Sequence, residues 1–224
     1  MVERTIRVTG TGKVSIKPDI TIINMNFDNV LPTYEDALKA SAEEVSIVKD
    51  ALEKAGLKRD SLKTINFNVN AHFESYRDEK GNYKSKFDGY QYRQTLRFKF
   101  PIDNKLLGRV LFELSQLSVN PEFSIYYGID NPESAKNELL ANAIVDAKKK
   151  AEIIASASGV SLEEILEINY SWVDVEFRSR TYELHADALY MSKCDALEAP
   201  SYDIDIEPDD IDKTDNVTIT FKIK

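Results

Sequence analysis

The chain has 224 residues, 42% hydrophobic and 30% charged, a balance that supports a packed core and excludes wholesale disorder. Its 38 acidic side chains outnumber 29 basic ones, for a formal net charge of -9, which disfavours long-range attraction to nucleic-acid phosphates or anionic lipid. Neither nucleic-acid binding nor membrane insertion is expected, since no stretch approaches the ~20 apolar residues of a membrane span.

The opening residues alternate in character, which reads as a strand over 4–9, followed by Gly10-Thr11-Gly12 as a turn and a longer strand over 13–28 with Pro18 at an edge or bulge. A strand at the start, with no apolar leader, leads to the expectation of a cytoplasmic protein. Thr33 can cap a helix over 34–55, with Asp36 three residues later and Gly56 closing it. Strands over 62–73 and 87–100 flank a polar hairpin, and the spacing of Tyr90, Tyr92, Leu96, Phe98 and Phe100 has the period of two of a half-buried strand. Asp103 can cap a helix over 105–117, and residues 123–129 form a further strand.

The order β-α-β-β-α-β over 13–130 predicts an α+β, two-layer, ferredoxin-like split unit. Residues 132–158 predict the longest helix, with Ala135, Leu139, Ala143, Ala147, Ala151 and Ala155 in steps of four, a ridge that permits close approach to a sheet. Strands over 163–178 and 217–223 follow, and with the first strand they predict a smaller βαββ lobe made of 1–12 and 131–224. Two helix-to-strand junctions echo each other: both place a helix-stopping glycine, Gly56 or Gly159, before an Ile-Asn-aromatic strand. A shared junction chemistry and related halves both explain this.

Candidate chemistry is sparse. Gly10-Thr11-Gly12 lacks the Gly-Lys-Ser/Thr continuation of a phosphate loop and runs into a strand, so a turn is the simpler reading. Asp19 reads as a turn or strand-edge carboxylate bonded to local amides. His185, Asp187, Cys194 and Asp195 share no short metal-ligand spacing, and a single cysteine excludes an intrachain disulfide and a multi-thiolate zinc site. His72 is expected at the surface or at the interface of the lobes, facing away from Phe73. The acidic run of Asp203, Asp205, Glu207, Asp209, Asp210 and Asp212 is a candidate for a divalent cation, weighed against a solvated edge that discourages aggregation. Tyr76, Tyr83, Phe87 and Tyr90 are the candidate interface, because amphipathic rings around a long hairpin suit a protein contact.

Taken together, Ile6-Arg7-Val8-Thr9-Gly10-Thr11-Gly12, Pro18-Asp19, Gly56-Leu57 with Asp60 and Thr64, Phe87-Asp88-Gly89-Tyr90, the alanine-stepped helix and the closing Val217-Thr218-Ile219-Thr220-Phe221 resemble the SIMPL (DUF541) family over essentially the whole chain. That resemblance implies a single SIMPL-type domain over 1–224, similar to bacterial periplasmic antigen-type members, and no agreed activity or catalytic residues. Where such members carry a proline-glycine turn before the last strand, here Pro208 precedes Asp209 and Asp210. The resulting expectation is a non-enzymatic, self-associating binding or scaffold protein, a homo-oligomer or the companion of another protein, without cofactor or metal. The alternative is a small-ligand or divalent-cation binder.

Overall fold

The computed structural model describes residues 4–119, 121–170, 175–179, 182–184 and 206–224. Eight strands, three α-helices and a short 3-10 helix (Arg59–Ser61) are described: β1 (Thr5–Ile16), β2 (Ile20–Leu31), α1 (Tyr34–Lys54), β3 (Lys63–Arg77), β4 (Tyr83–Pro101), α2 (Asn104–Ser115), β5 (Glu122–Gly128), α3 (Glu133–Ala157), β6 (Leu162–Asn169), β7 (Tyr182–Leu184) and β8 (Ile211–Ile223). They form two compact units, one with the sheet order β1-β8-β6 and α3, the other with the order β3-β4-β2-β5-β7 and α1 and α2. Within the second unit, β2-α1-β3-β4-α2-β5 has the element order and strand neighbours of the expected ferredoxin-like unit. β1-α3-β6-β8 is the expected βαββ lobe, completed by the N-terminal strand.

The turn expected at Gly10-Thr11-Gly12 is absent. β1 runs through it, paired with β8 from Thr5 to Ile16, and the break falls instead at residues 17–19, where Pro18 has no N–H for a ladder. The two glycines serve packing: a Cβ on Gly10 would lie 2.1 Å from the Ala143 carbonyl oxygen, and one on Gly12 would lie 2.0 Å from that of Leu139. The alanine ridge of α3 therefore rests its backbone directly on β1, and Ala143, Ala147 and Ala151 are fully buried with Val217 and Ile219. Helix side chains one turn apart also bond the outer edge of β1. Asn142 Nδ2 donates to the Lys13 carbonyl (3.1 Å), the Thr11 N–H donates to Asp146 (2.7 Å), and Lys150 Nζ donates to the Thr9 carbonyl (3.1 Å). An edge that would otherwise offer free N–H and C=O groups is thereby closed.

In the second unit, α1 and α2 cover one face of the sheet over Ile23, Met25, Leu96, Phe98, Leu107 and Val110. Thr33 caps α1 as expected, accepting from the Asp36 N–H (3.1 Å), and Asp103 caps α2 through the N–H groups of Lys105 and Leu106. One carboxylate lies inside this packing. Glu44 accepts from the Tyr92 hydroxyl (2.6 Å), Gln94 Nε2 (2.9 Å) and Asn29 Nδ2 (3.1 Å), bracing α1 against β4 and β2. Desolvation raises its pKa in spite of these donors, and desolvation together with Glu44 raises that of Tyr92.

The two junction echoes have the same geometry. Gly56 (φ 97°) and Gly159 (φ 68°) follow α1 and α3 in the left-handed region, and the next residue bonds back to the helix, Leu57 N–H to Leu52 O and Val160 N–H to Ala155 O. The strands that follow are the outer strands β3 and β6, so the echo extends to strand order. The strand expected over 163–178 ends at Asn169, with Arg178 forming only an isolated bridge to Gly128; β8 starts earlier than expected, at Ile211.

Gly10→Ala and Gly12→Ala should each destabilise the protein by about 3 kcal/mol or more, because the added methyl meets backbone rather than a movable side chain; urea unfolding measures this. Glu44→Gln tests the brace. A raised folded pKa means that the neutral acid favours folding below the ordinary value of 4.5 and that this contribution is lost as pH rises through the folded value, so the variant should gain on the wild type in denaturant midpoint between pH 4 and 8.

Candidate interaction surface

β2 pairs with β4 only as far as Leu31 opposite Tyr90, whereas β3 and β4 continue together to Arg77 opposite Tyr83. Among the described residues, 72–89 is thus a two-stranded arm with no third strand beside it. The polar hairpin expected between two shorter strands is mostly strand, and the turn is confined to 78–82. Asp78 organises it: its Oδ1 accepts from the N–H groups of Lys80 and Asn82 (2.9 Å each), its Oδ2 pairs with Lys84 (3.2 Å), and Gly81 takes φ 81°. The bond from Asn82 is the largest cause of its lowered pKa.

The arm carries an apolar face because of one irregularity. On β4 the buried side chains fall at even positions, 92 to 100, so strict alternation would put Phe87 on the opposite face from Tyr90. A bulge intervenes, since His72 is opposite Gly89 but Phe73 is opposite Phe87, leaving Asp88 as the extra residue. Gly89 (φ 147°) permits it, as a Cβ there would lie 2.4 Å from the Leu31 carbonyl oxygen. Phe87 returns to the core face, and a row of edge-to-face rings results: Tyr34 to Tyr90 (5.7 Å), Tyr90 to Phe87 (5.5 Å) and Phe87 to Phe73 (5.7 Å). Tyr34, Phe73 and Phe87 are 50%, 54% and 45% exposed.

Of the four rings named from sequence, Phe87 and Tyr90 are in contact. Tyr83, 74% exposed, lies nearer the tip, where Arg77 stacks on it at 4.7 Å and donates to its hydroxyl (2.6 Å). Tyr76, opposite Lys84 in register, alternates to the other face. Phe73 and Tyr34 were missed as members of the surface; the phase change at Asp88-Gly89 was the signal that could have found them.

His72 is half-buried and within 3.2 Å of Asp88. Asp19 accepts from the Asp130 N–H (2.8 Å), an amide remote in sequence, where a bond to local amides was expected. Of the acidic candidates, Asp203 and Asp205 lie outside the described residues, as do Cys194, His185, Asp187 and Asp195. Glu207, Asp209 and Asp210 are exposed in irregular chain, and Asp212 belongs to β8, opposite Ser15. Among the described residues no group of three or more His, Cys, Asp or Glu is placed to hold a metal ion, and no helix is long and apolar enough to cross a membrane.

A family model described as SIMPL, protein of unknown function (DUF541), matches residues 6–221. The chain belongs to the SIMPL family. Among its relatives are the 26 kDa periplasmic immunogenic proteins of Brucella melitensis biotype 1, 32% identical over 165 residues, and of Brucella abortus strain S19, 31% identical over the same length. The match takes in 73% of this chain and 65% of each relative. Both relatives are named as periplasmic, which overturns the cytoplasmic expectation; the absence of an apolar leader in the first residues was not a sound basis for placing this SIMPL chain.

The Asp78 carboxylate should hold the tip shut above its ordinary pKa of 3.8 and release it as pH falls through the lowered folded value. Asp78→Ala should reproduce that release at neutral pH, read as faster amide exchange at Lys80 and Asn82.

Proposed function

We propose that this SIMPL chain is a periplasmic, non-enzymatic scaffold or binding protein that self-associates through the apolar face of the β3–β4 arm. The observation that carries the reading is the exposed row of Phe73, Phe87, Tyr90 and Tyr34 on a two-stranded ribbon. An isolated ribbon of this kind is marginal in water, and its rings gain most by burial against another surface. A second copy suits the charge. Residues 72–89 hold four cations (Arg77, Lys80, Lys84, Lys86) and four carboxylates (Glu74, Asp78, Glu79, Asp88), so the arm is neutral on a chain of net charge -9. Two arms can meet where the rest of two acidic molecules repel.

Binding is favoured over catalysis by how the perturbed acid is used. Glu44, whose pKa burial raises, is engaged by three side chains inside the helix-sheet packing, and strong perturbation of this kind also arises in structural networks. The periplasmic location rests on the names of the Brucella relatives.

Phe73→Ser with Phe87→Ser tests the reading. Both sites lie on the arm, outside the buried core, so the fold should persist by circular dichroism while sedimentation velocity shifts from an oligomer to a 25.5 kDa monomer. A wild-type chain that already sediments as a monomer, or an oligomer indifferent to the two substitutions, would overturn it.

A further inference from the structure

A sheet edge is kept from pairing with another chain by charge, proline, bulges, shortness or cover. Among the described strands, the middle of β3 is an edge with none of these. The outer edge of β1 is covered by side chains of α3. β6 carries Glu163, Glu164 and Glu167 and breaks register twice against β8, and β7 spans only Tyr182–Leu184. β3 is terminal too, yet from Asn66 to His72 it follows β4 in unbroken register. Between Lys63 and Glu74 it holds no Asp, Glu, Lys, Arg or Pro, in a chain that is 30% charged.

This stretch repeats by twos. Asn66, Asn68 and Asn70 stand opposite Thr95, Arg93 and Gln91 on the face away from the helices, and Phe67, Val69 and Ala71 stand opposite Gln94, Tyr92 and Tyr90 on the helix-covered face. Asn66 and Asn70 are exposed, and so is Phe67, at 43%. Asn70 Nδ2 donates to Asn68 Oδ1 (3.4 Å), which leaves the Asn68 amide to donate and the Asn70 oxygen to accept. Such a row is its own complement when reversed. Turned end for end about Asn68, the strand sets Asn66 against Asn70, Asn68 against Asn68 and Phe67 against Val69, with every side chain on its own face. Amide pairs bond each other, an aromatic opposite a β-branched residue stabilises a sheet, and the same reversal carries Lys63 towards Glu74.

We propose that β3 pairs edge to edge and antiparallel with β3 of a second copy, about a two-fold axis at Asn68, so that two sheets continue as one. The proposal rests on the reading of self-association and gives it a surface distinct from the apolar face of the arm. Main-chain N–H and C=O groups pointing away from β4 supply the bonds, and the asparagines fix the register. Any extended peptide meets those main-chain groups, but a second copy brings the matching row of amides and the symmetry of an isologous contact.

Sedimentation velocity over a dilution series tests it with the full chain. Asn66→Lys with Asn70→Lys, and Asn66→Glu with Asn70→Glu, set like charges opposite each other between the copies, and each pair should weaken association by about tenfold. Asn66→Lys with Asn70→Glu sets opposite charges there and should restore it, with circular dichroism unchanged in all three. Within one chain residues 66 and 70 are about 13 Å apart along the strand, and Arg93, diagonal to both, favours glutamate and opposes lysine. A loss with both like-charge pairs therefore reads contact between copies. Variants that all associate like the wild type, a loss confined to one sign of charge, or an equal loss with opposite charges would overturn the proposal. Should Phe73→Ser with Phe87→Ser dissociate the protein while the charge variants match the wild type, the arm reading stands and the edge pairing falls; a wild type that is monomeric throughout removes both.

Discussion

The bulge at Asp88-Gly89 decides what the long hairpin can do. A strand alternates strictly, so one extra residue exchanges its two faces, and this one brings Phe87 back beside Tyr90. The apolar face of the sheet therefore continues beyond the third strand instead of ending with it. Its position depends on a residue without a side chain, because Gly89 lies against the Leu31 carbonyl, the last β2 residue paired to β4. The rings of the arm are thus an extension of the same face that holds Tyr92, Leu96 and Phe98 in the core.

The two units repeat one scheme, a strand, a helix and two antiparallel strands of which the second pairs back on the first, and they finish their edges differently. In the three-stranded sheet, α3 lies so close to β1 that Asn142, Asp146 and Lys150 reach its main chain. Strand addition at that edge is blocked by hydrogen bonds already made. At the other edges β3 and β6 are terminal, and both expose apolar side chains, Ile65 and Phe67 on one and Ile165 and Ile168 on the other.

Much of this was legible in the residues, and the failures have physical causes. The capping residues Thr33 and Asp103, the alanine ridge of α3 and the period of two in β4 are local signals, and the three helices formed where they placed them, while β4 begins earlier, at Tyr83. Gly10-Thr11-Gly12 misled because a glycine needed for close approach looks the same in sequence as one needed for a turn, and only the position of α3 tells them apart. The hairpin was read too short because polar residues at 74–86 suit a loop, yet a ribbon that is exposed on both faces has no buried side to enforce alternation. Tyr76 and Tyr83 were grouped by nearness in sequence, whereas the pleat sends them to opposite faces.

The central claim is that the arm is covered in the working protein by another copy of the chain. Hydrogen exchange followed over a hundredfold range of protein concentration measures that cover directly, at the amides of residues 73–77 and 83–87. Protection that is strong in concentrated protein and lost on dilution, while the core amides of β4 from Tyr92 to Phe100 stay unchanged, is the predicted result. Exchange in the arm that is equally fast at every concentration would contradict it.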